Sequence, residues 1–385
     1  MAEPINVTQL LDGHEAPLGL PAAMAEHLAA IQSARGRIVF IAQRGDAIVG
    51  LLIGRRRRTA TMLRVSHFWV DTDDIDGNAV GSELVSALEQ LSLDSDILTW
   101  RIAAVSGEDV ISTSLRALAG VAAARSGAPY AELRLRNDGP TASSRTPIYT
   151  QTTGFTCGSA SLMMAFAGLD SSSGMDRLLE LAMWREATTV VSMDGPGGCD
   201  PYGLALAANS RGHAVKVFMS TSEAILIDRG NTEAKRDLMK FVQADFKSRV
   251  LEAGIEVEAR AFTIAELRSA VAGGSIAVVL IDQRETHGRT APHWVVAHAV
   301  SEEHFLVNDP WFEVDALENA ADVVDLPIRD AMLDRMAWYG EPAYRAALII
   351  GPRATCASDD ADRSAHQRRD GVFDEAYEAE RGHLG

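Results

Sequence analysis

Four residues stand in an order that suits nucleophilic attack on a carbonyl. Cys157 lies in Gln151-Thr-Thr-Gly-Phe-Thr-Cys157-Gly-Ser-Ala-Ser, and Ala160, Met163, Met164 and Ala167 follow it at helical spacing. The cysteine therefore heads a helix, where free N–H groups and the helix dipole favour a thiolate, the form that attacks carbonyl carbon. Gly168 reads as the C-cap of that helix. Gln151 precedes the cysteine on the incoming loop, so its side-chain amide can donate to an oxyanion alongside the Cys157 backbone N–H.

A thiolate needs a base and a group that fixes the base in one tautomer. Ala291-Pro292-His293-Trp294-Val-Val-Ala-His298 reads as the start of a strand, Ser301–Glu303 as a turn, and His304–Asn308 as a second strand ending at Asp309-Pro310. Two antiparallel strands with a short turn bring His293 and Asp309 to the same end of the sheet. His298, five residues along, points to the opposite face and reads as a packed or surface histidine. Taken alone, a cysteine at a helix start is more often a small buried residue than a nucleophile. The ordered set of Gln151, Cys157, His293 and Asp309 tips the balance toward chemistry. Cys199, in Gly197-Gly198-Cys199-Asp200-Pro201, has no base at a suggestive spacing. Asp200 as N-cap and Pro201 at the first helical position explain that segment structurally.

The segments QTTGFTCGSAS, APHWVVAHAV and VNDPW resemble the papain-like C39 peptidase superfamily in order, spacing and residue type. Residues 195–215, 278–294 and Leu326 to Tyr339 are similar to a bacterial branch of C39-like proteins, some of which carry an acetyltransferase-like domain in front. The resemblance covers roughly 150–350. It implies a cysteine peptidase or amidase in which Cys157 is the nucleophile, His293 the base, Asp309 its orienting partner and Gln151 an oxyanion donor. It also implies that the Cys199 loop lines the cleft. His287, in the Gly-containing loop before the strand, reads as a plain loop histidine with substrate contact as the alternative, and Trp294 is a further candidate substrate contact. No metal or organic cofactor is required, and the partner is a peptide or another amide. Two other readings stay open: an acyltransferase or peptide ligase that resolves the same thioester with an amine, and a non-catalytic peptide-binding module.

These residues need a scaffold, and 385 residues suffice for two domains with full cores. The fold class expected is α+β. Residues 1–136 form an α/β unit, 137–147 (rich in Gly, Pro, Ser and Thr) a linker, 148–356 the peptidase-like domain, and the charged stretch 357–385 a disordered tail. Within the front unit, Arg37–Gln43 and Ala47–Gly54 read as a hairpin about Gly45-Asp46, and Thr59–Asp71 as a third strand. A helix near Ala79–Leu91, strand Ile97–Val105, helix Ser112–Arg125 and strand Tyr130–Arg136 complete it. That order resembles a GNAT acetyltransferase. The turn that would cradle acetyl-CoA pyrophosphate, with Gly77, Ala79 and Gly81, departs from the pattern. Asp76 stands where Gln or Arg is expected, and Ala79 replaces a glycine. A carboxylate repels pyrophosphate, so the expectation is an inactive scaffold without acetyl-CoA.

The net charge of −17 disfavours nucleic acid and anionic membranes. There is no apolar signal-like start and no membrane-spanning apolar run, so the expected location is cytoplasmic. Cys157, Cys199 and Cys356 show no CxxC pairing, which fits neither a disulfide framework nor a zinc site, and Cys356 reads as idle. The basic run Arg55–Arg58 reads first as a solvated hairpin tip, with a site for an acidic substrate or partner segment as the alternative.

Overall fold

The structure is a computed structural model that describes residues 3–10, 19–30, 36–71, 76–103, 130–134, 146–189, 196–314 and 318–353. The expected helix Ser112–Arg125, nearly all of the linker and the tail 357–385 lie outside the described residues. The chain is a mixed α/β protein built on two sheets.

The front sheet runs in chain order through β1 (Ile5–Leu10), β2 (Arg37–Arg44), β3 (Ala47–Arg56), β4 (Met62–Val70), β5 (Thr99–Ala103) and β6 (Tyr130–Arg134). The turn between β2 and β3 falls at Gly45-Asp46, and Gly45 takes φ +59°, a conformation a side chain resists. Among the described strands of this sheet, only β4 and β5 pair in parallel, and they are joined by a crossover through helix α2 (Gly77–Asp94). Both faces of β2 are buried, which explains its continuous apolar run. Ile38, Phe40 and Ala42 share a cluster with Val80, Leu84 and Leu88 of α2. Val39 and Ile41 pack with Leu28 of α1 (Ala22–Ala30) on the other face. Neither β1 nor α1 was anticipated from the sequence.

The second sheet has the order β12-β11-β10-β9-β13-β7-β8. Its strands are β7 (His213–Met219), β8 (Glu256–Glu258), β9 (Ile276–Asp282), β10 (Pro292–Ser301), β11 (His304–Asn308), β12 (Leu326–Arg329) and β13 (Ala346–Arg353). Helices α3 (Cys157–Leu169), α4 (Arg177–Ala187), α5 (Pro201–Asn209) and α6 (Glu233–Glu252) cover one face. Helices α7 (Ile264–Ala272) and α8 (Asp330–Met336) cover the other. Strand β9 sorts its side chains by parity, with Val278 and Leu280 toward α3 and Ala277, Val279 and Ile281 toward α7. Helix α3 is buried from Cys157 through Ala167, so it reads as apolar all round rather than amphipathic.

Gly168 is not the C-cap. The helix continues to Leu169 and ends at Asp170. A Cβ on Gly168 would lie 2.4 Å from Thr146 Oγ1 and 2.7 Å from Ile276 Cδ1, so this glycine lets helix and sheet approach closely.

The two units share a buried surface. Ala60 and Met62 of the front unit belong to the apolar cluster of α7, α8 and the second sheet. The backbone N–H of Thr61 between them donates to Pro327 O at 2.9 Å. The run Arg55–Arg58 is therefore no solvated tip. Arg57 is 9% exposed and Arg55 pairs with Glu318 at 2.8 Å, because the loop after β3 turns into the second unit instead of into water.

Candidate active site

The hairpin of β10 and β11 aligns Val296 with Asn308, so His293 and Asp309 fall beyond the paired residues at one end. Their side chains meet there: His293 Nε2 lies 2.7 Å from Asp309 Oδ1. The same Oδ1 accepts from the Trp311 N–H at 2.9 Å, while Oδ2 accepts from Arg57 Nη2. The Cys157 side chain lies close enough to His293 to act on it electrostatically. Nε2 faces Asp309, so Nδ1 is the ring nitrogen the carboxylate does not use. Burial works against the imidazolium, but the charge and hydrogen bond of Asp309, with Cys157 beyond, overcome it and push His293 up to about 10. Burial likewise opposes the Asp309 carboxylate, yet His293 and Arg57 hold it well below the usual carboxylate range.

Gln151 comes to this end through its backbone, whose N–H donates to Pro310 O at 2.9 Å. Its side-chain Nε2 donates one proton to Thr153 O at 2.6 Å and keeps a second. Thr156, the residue before α3, makes no side-chain cap; its hydroxyl turns to Glu180 and Thr153. Thr156 therefore does not cap the first N–H groups of α3, which begins at Cys157. A cleft of about 270 Å³ opens there, with Gly154, Phe155, Cys157, Gly198, Asp200 and Pro292 in its wall.

The other candidates are placed differently. Cys199 is 1% exposed and its Cβ lies 2.7 Å from where a side chain on Gly158 would begin, so it packs under α3. Burial, then the neighbouring Cys157, push its thiol well up. Trp294 is buried in the core and donates to Cys199 O at 3.3 Å. His287 ends the helical turn Arg284–His287, with Nδ1 3.7 Å from Glu313 Oε1; burial and the Arg57 charge push it down to about 4. His298 bonds Asn308 Oδ1 at 3.2 Å and is buried, as its position in the strand suggested. Asp200 caps α5, accepting from Tyr202 N–H at 2.8 Å. In the front unit, Asp76 Oδ1 accepts from the Ala79 N–H at 3.1 Å, so it occupies the N-terminus of α2 where Gly77 and Gly81 lie.

Two residues of this region escaped the sequence reading. Glu180 of α4, fully buried, accepts from Tyr149 Oη (3.0 Å), Thr152 N–H and Oγ1 (both 2.8 Å) and Thr156 Oγ1. It organises the loop from Gln151 to Cys157. The polar run Tyr149, Thr152, Thr156 signals that an acceptor is needed but not which one. Arg57 is the other: an acidic segment is the alternative reading of its run, but nothing in the sequence points to Asp309.

Residues 146–351, more than half of the chain, match the family described as Peptidase_C39 like. The chain belongs to that family. The Peptidase_C39-like region contains Gln151, Cys157, His293 and Asp309, whereas Arg57 lies in front of it. No curated protein matches the sequence. Solved structures similar to the N-terminal region include a GNAT-family acetyltransferase from Staphylococcus aureus Mu50, at 12% identity over 34% of this chain and 100% of that one, with TM-score 0.28. They also include PaiA N-acetyltransferase from Thermoplasma acidophilum, at 12% identity over 29% of this chain and 69% of that one, with TM-score 0.24. Among the described residues of this Peptidase_C39-like chain, no helix is long and apolar enough to cross a membrane, and no group of His, Cys, Asp and Glu is arranged to hold a metal ion.

Proposed function

We propose that the chain is a cysteine peptidase or amidase that works through an acyl-enzyme on Cys157. The observation that carries this is His293, 2.7 Å from Asp309 and acted on by the nearby Cys157 side chain, with Cys157 itself in the wall of a cleft. In the reaction, the Cys157 thiolate adds to the amide carbonyl carbon, and the carbonyl oxygen becomes an oxyanion. The Cys157 backbone N–H and the second Nε2 proton of Gln151 bind that oxyanion. The His293 imidazolium then gives its proton to the amide nitrogen, the C–N bond breaks and the amine leaves. Water attacks the thioester, His293 takes a proton from it, and the C–S bond breaks to return the thiolate and release a carboxylic acid. Asp309 keeps the imidazole in one orientation throughout. The front unit takes no part as an acetyltransferase, because the carboxylate of Asp76 lies at the helix N-terminus where a pyrophosphate would sit.

The test is alkylation with iodoacetamide near pH 6, followed by peptide mapping. Cys157 is expected to label well ahead of the buried Cys199, and Cys157→Ala to lose both labelling and covalent adducts with acyl electrophiles. Equal or slower labelling at Cys157 would overturn the reading.

A further inference from the structure

The geometry points to Arg57 as a positioning residue for the Cys157 chemistry: the front sheet holds Asp309, and through it His293, from outside the unit that contains both. This inference rests on the roles proposed above for Cys157, His293 and Asp309.

Three observations converge on it. Arg57 and Asp309 are both buried, with side chains 8% and 3% exposed, so no water stands ready to replace either partner. The guanidinium spans two acceptors, with Nη2 on Asp309 Oδ2 and Nη1 on Asp322 O at 3.3 Å. Since Oδ1 already serves His293 and the Trp311 N–H, the carboxylate cannot turn without breaking a bond on one side or the other. Arg57 also acts within a larger clasp. Arg64 Nε meets Asp322 Oδ1 at 2.7 Å, and Arg101 donates to Val324 O and Asp325 O, each at 2.5 Å. Those contacts fix the stretch whose Val323 O accepts the Asp309 backbone N–H at 2.9 Å. Both the main chain and the side chain of Asp309 are thus set by the front unit.

The fork of an arginine suits this task, since it bridges two acceptors in a fixed plane that an ammonium cannot match. Its charge matters as well. A cation on Oδ2 offsets part of the Asp309 charge felt by His293, which favours release of the imidazolium proton to a leaving amine and supports the thiolate beyond. The other charged or titratable groups around the pair include His293 on β10, Cys157 at the head of α3, His287, Arg289 and Glu313, the Arg64–Asp322 pair and the Arg55–Glu318 pair.

The experiment uses the full chain and follows iodoacetamide labelling of Cys157 against pH in wild type, Arg57→Gln, Arg57→Lys and Arg55→Gln. Arg57→Gln is expected to slow labelling at pH 6 on the order of tenfold, as for outer partners of metal-ligand carboxylates, and to move the acid limb of the profile upward. Arg57→Lys is expected to restore the limb without the full rate. Arg55→Gln breaks the Glu318 ion pair of the same interface and is expected to leave the profile in place. A wild-type profile in Arg57→Gln would overturn the assignment, as would an Arg55→Gln profile identical to that of Arg57→Gln, which would mean general loosening of the interface. Slow labelling of wild-type Cys157 would instead bring down the reading of the site itself, and this inference with it.

Discussion

His293 and Asp309 form a buried pair, 2.7 Å apart and 5% and 3% exposed, in which each partner holds the other's charge. The pH dependence of stability follows from the two shifts. His293 is raised from 6.5 to about 10, so its contribution is complete below about 6.5 and is lost as pH rises through about 10. Asp309 is lowered from 3.8, so its contribution is complete above that value and is lost only in strong acid. The pair therefore stabilises fully between roughly pH 4 and 6.5. Asp309→Ala is expected to cost about 3 kcal/mol there, as for a buried pair that loses one member. The deficit in thermal midpoint should narrow toward pH 10; a deficit unchanged from pH 5 to pH 10 would speak against the pairing.

Gln151 and Asp309 have separable effects. Gln151→Ala leaves the thiol and His293 untouched, so rapid alkylation of Cys157 should persist while turnover falls by roughly 10² to 10³, the usual loss for one oxyanion donor. Asp309→Ala should lower both alkylation at mild pH and turnover, because the imidazole loses its anchor. Parallel alkylation and turnover assays distinguish the two, and loss of alkylation in Gln151→Ala would refute its assignment.

Glu180 collects hydrogen bonds from Tyr149, Thr152 and Thr156 with no exposure to solvent. Glu180→Ala takes the acceptor from the buried Thr156 hydroxyl, at about 1–3 kcal/mol, while the half-buried Tyr149 and exposed Thr152 can turn to water. The expected result is a lower thermal midpoint together with slower Cys157 labelling, since the loop that delivers Gln151 and Cys157 loses its acceptor. Glu180→Gln, which keeps a carbonyl oxygen, should recover part of both. Wild-type labelling in Glu180→Ala would show that the loop is fixed by other contacts.

Asp76 caps α2 through the Ala79 N–H. Titration calorimetry with acetyl-CoA is expected to show no micromolar binding, and Asp76→Arg combined with Ala79→Gly to gain some. Tight binding by the wild type would make the front unit a second active centre.

What could be read from the sequence was local. The helix at Cys157 and the hairpin that joins His293 to Asp309 depend on spacing within a few residues, and both are present. Asp200 as a cap is equally local. What failed depends on where distant segments meet. Arg57 and Asp309 are separated by 252 positions, and a run of arginines reveals its charge but not the carboxylate or carbonyls it will find. Glu180 has the appearance of an ordinary first-turn acid on α4, and only the packing of α4 on the Gln151 loop gives it its partners. Gly168 shows another limit: a glycine that ends a helix and one that admits a neighbouring sheet look the same in a sequence.

The clasp between the units has a consequence for how the protein is made. A ribosome delivers the front sheet first, with Arg57, Ala60 and Met62 facing partners that do not yet exist. Cys157 follows, and about 150 residues more must emerge before Asp309, on the order of 10 s at ordinary elongation rates. During that interval the nascent thiol has neither its imidazole nor the carboxylate that steadies it. The proposed centre is assembled by Asp309 settling onto the front sheet made before it, so a chain whose translation stalls midway carries Cys157 without the groups proposed to arm it.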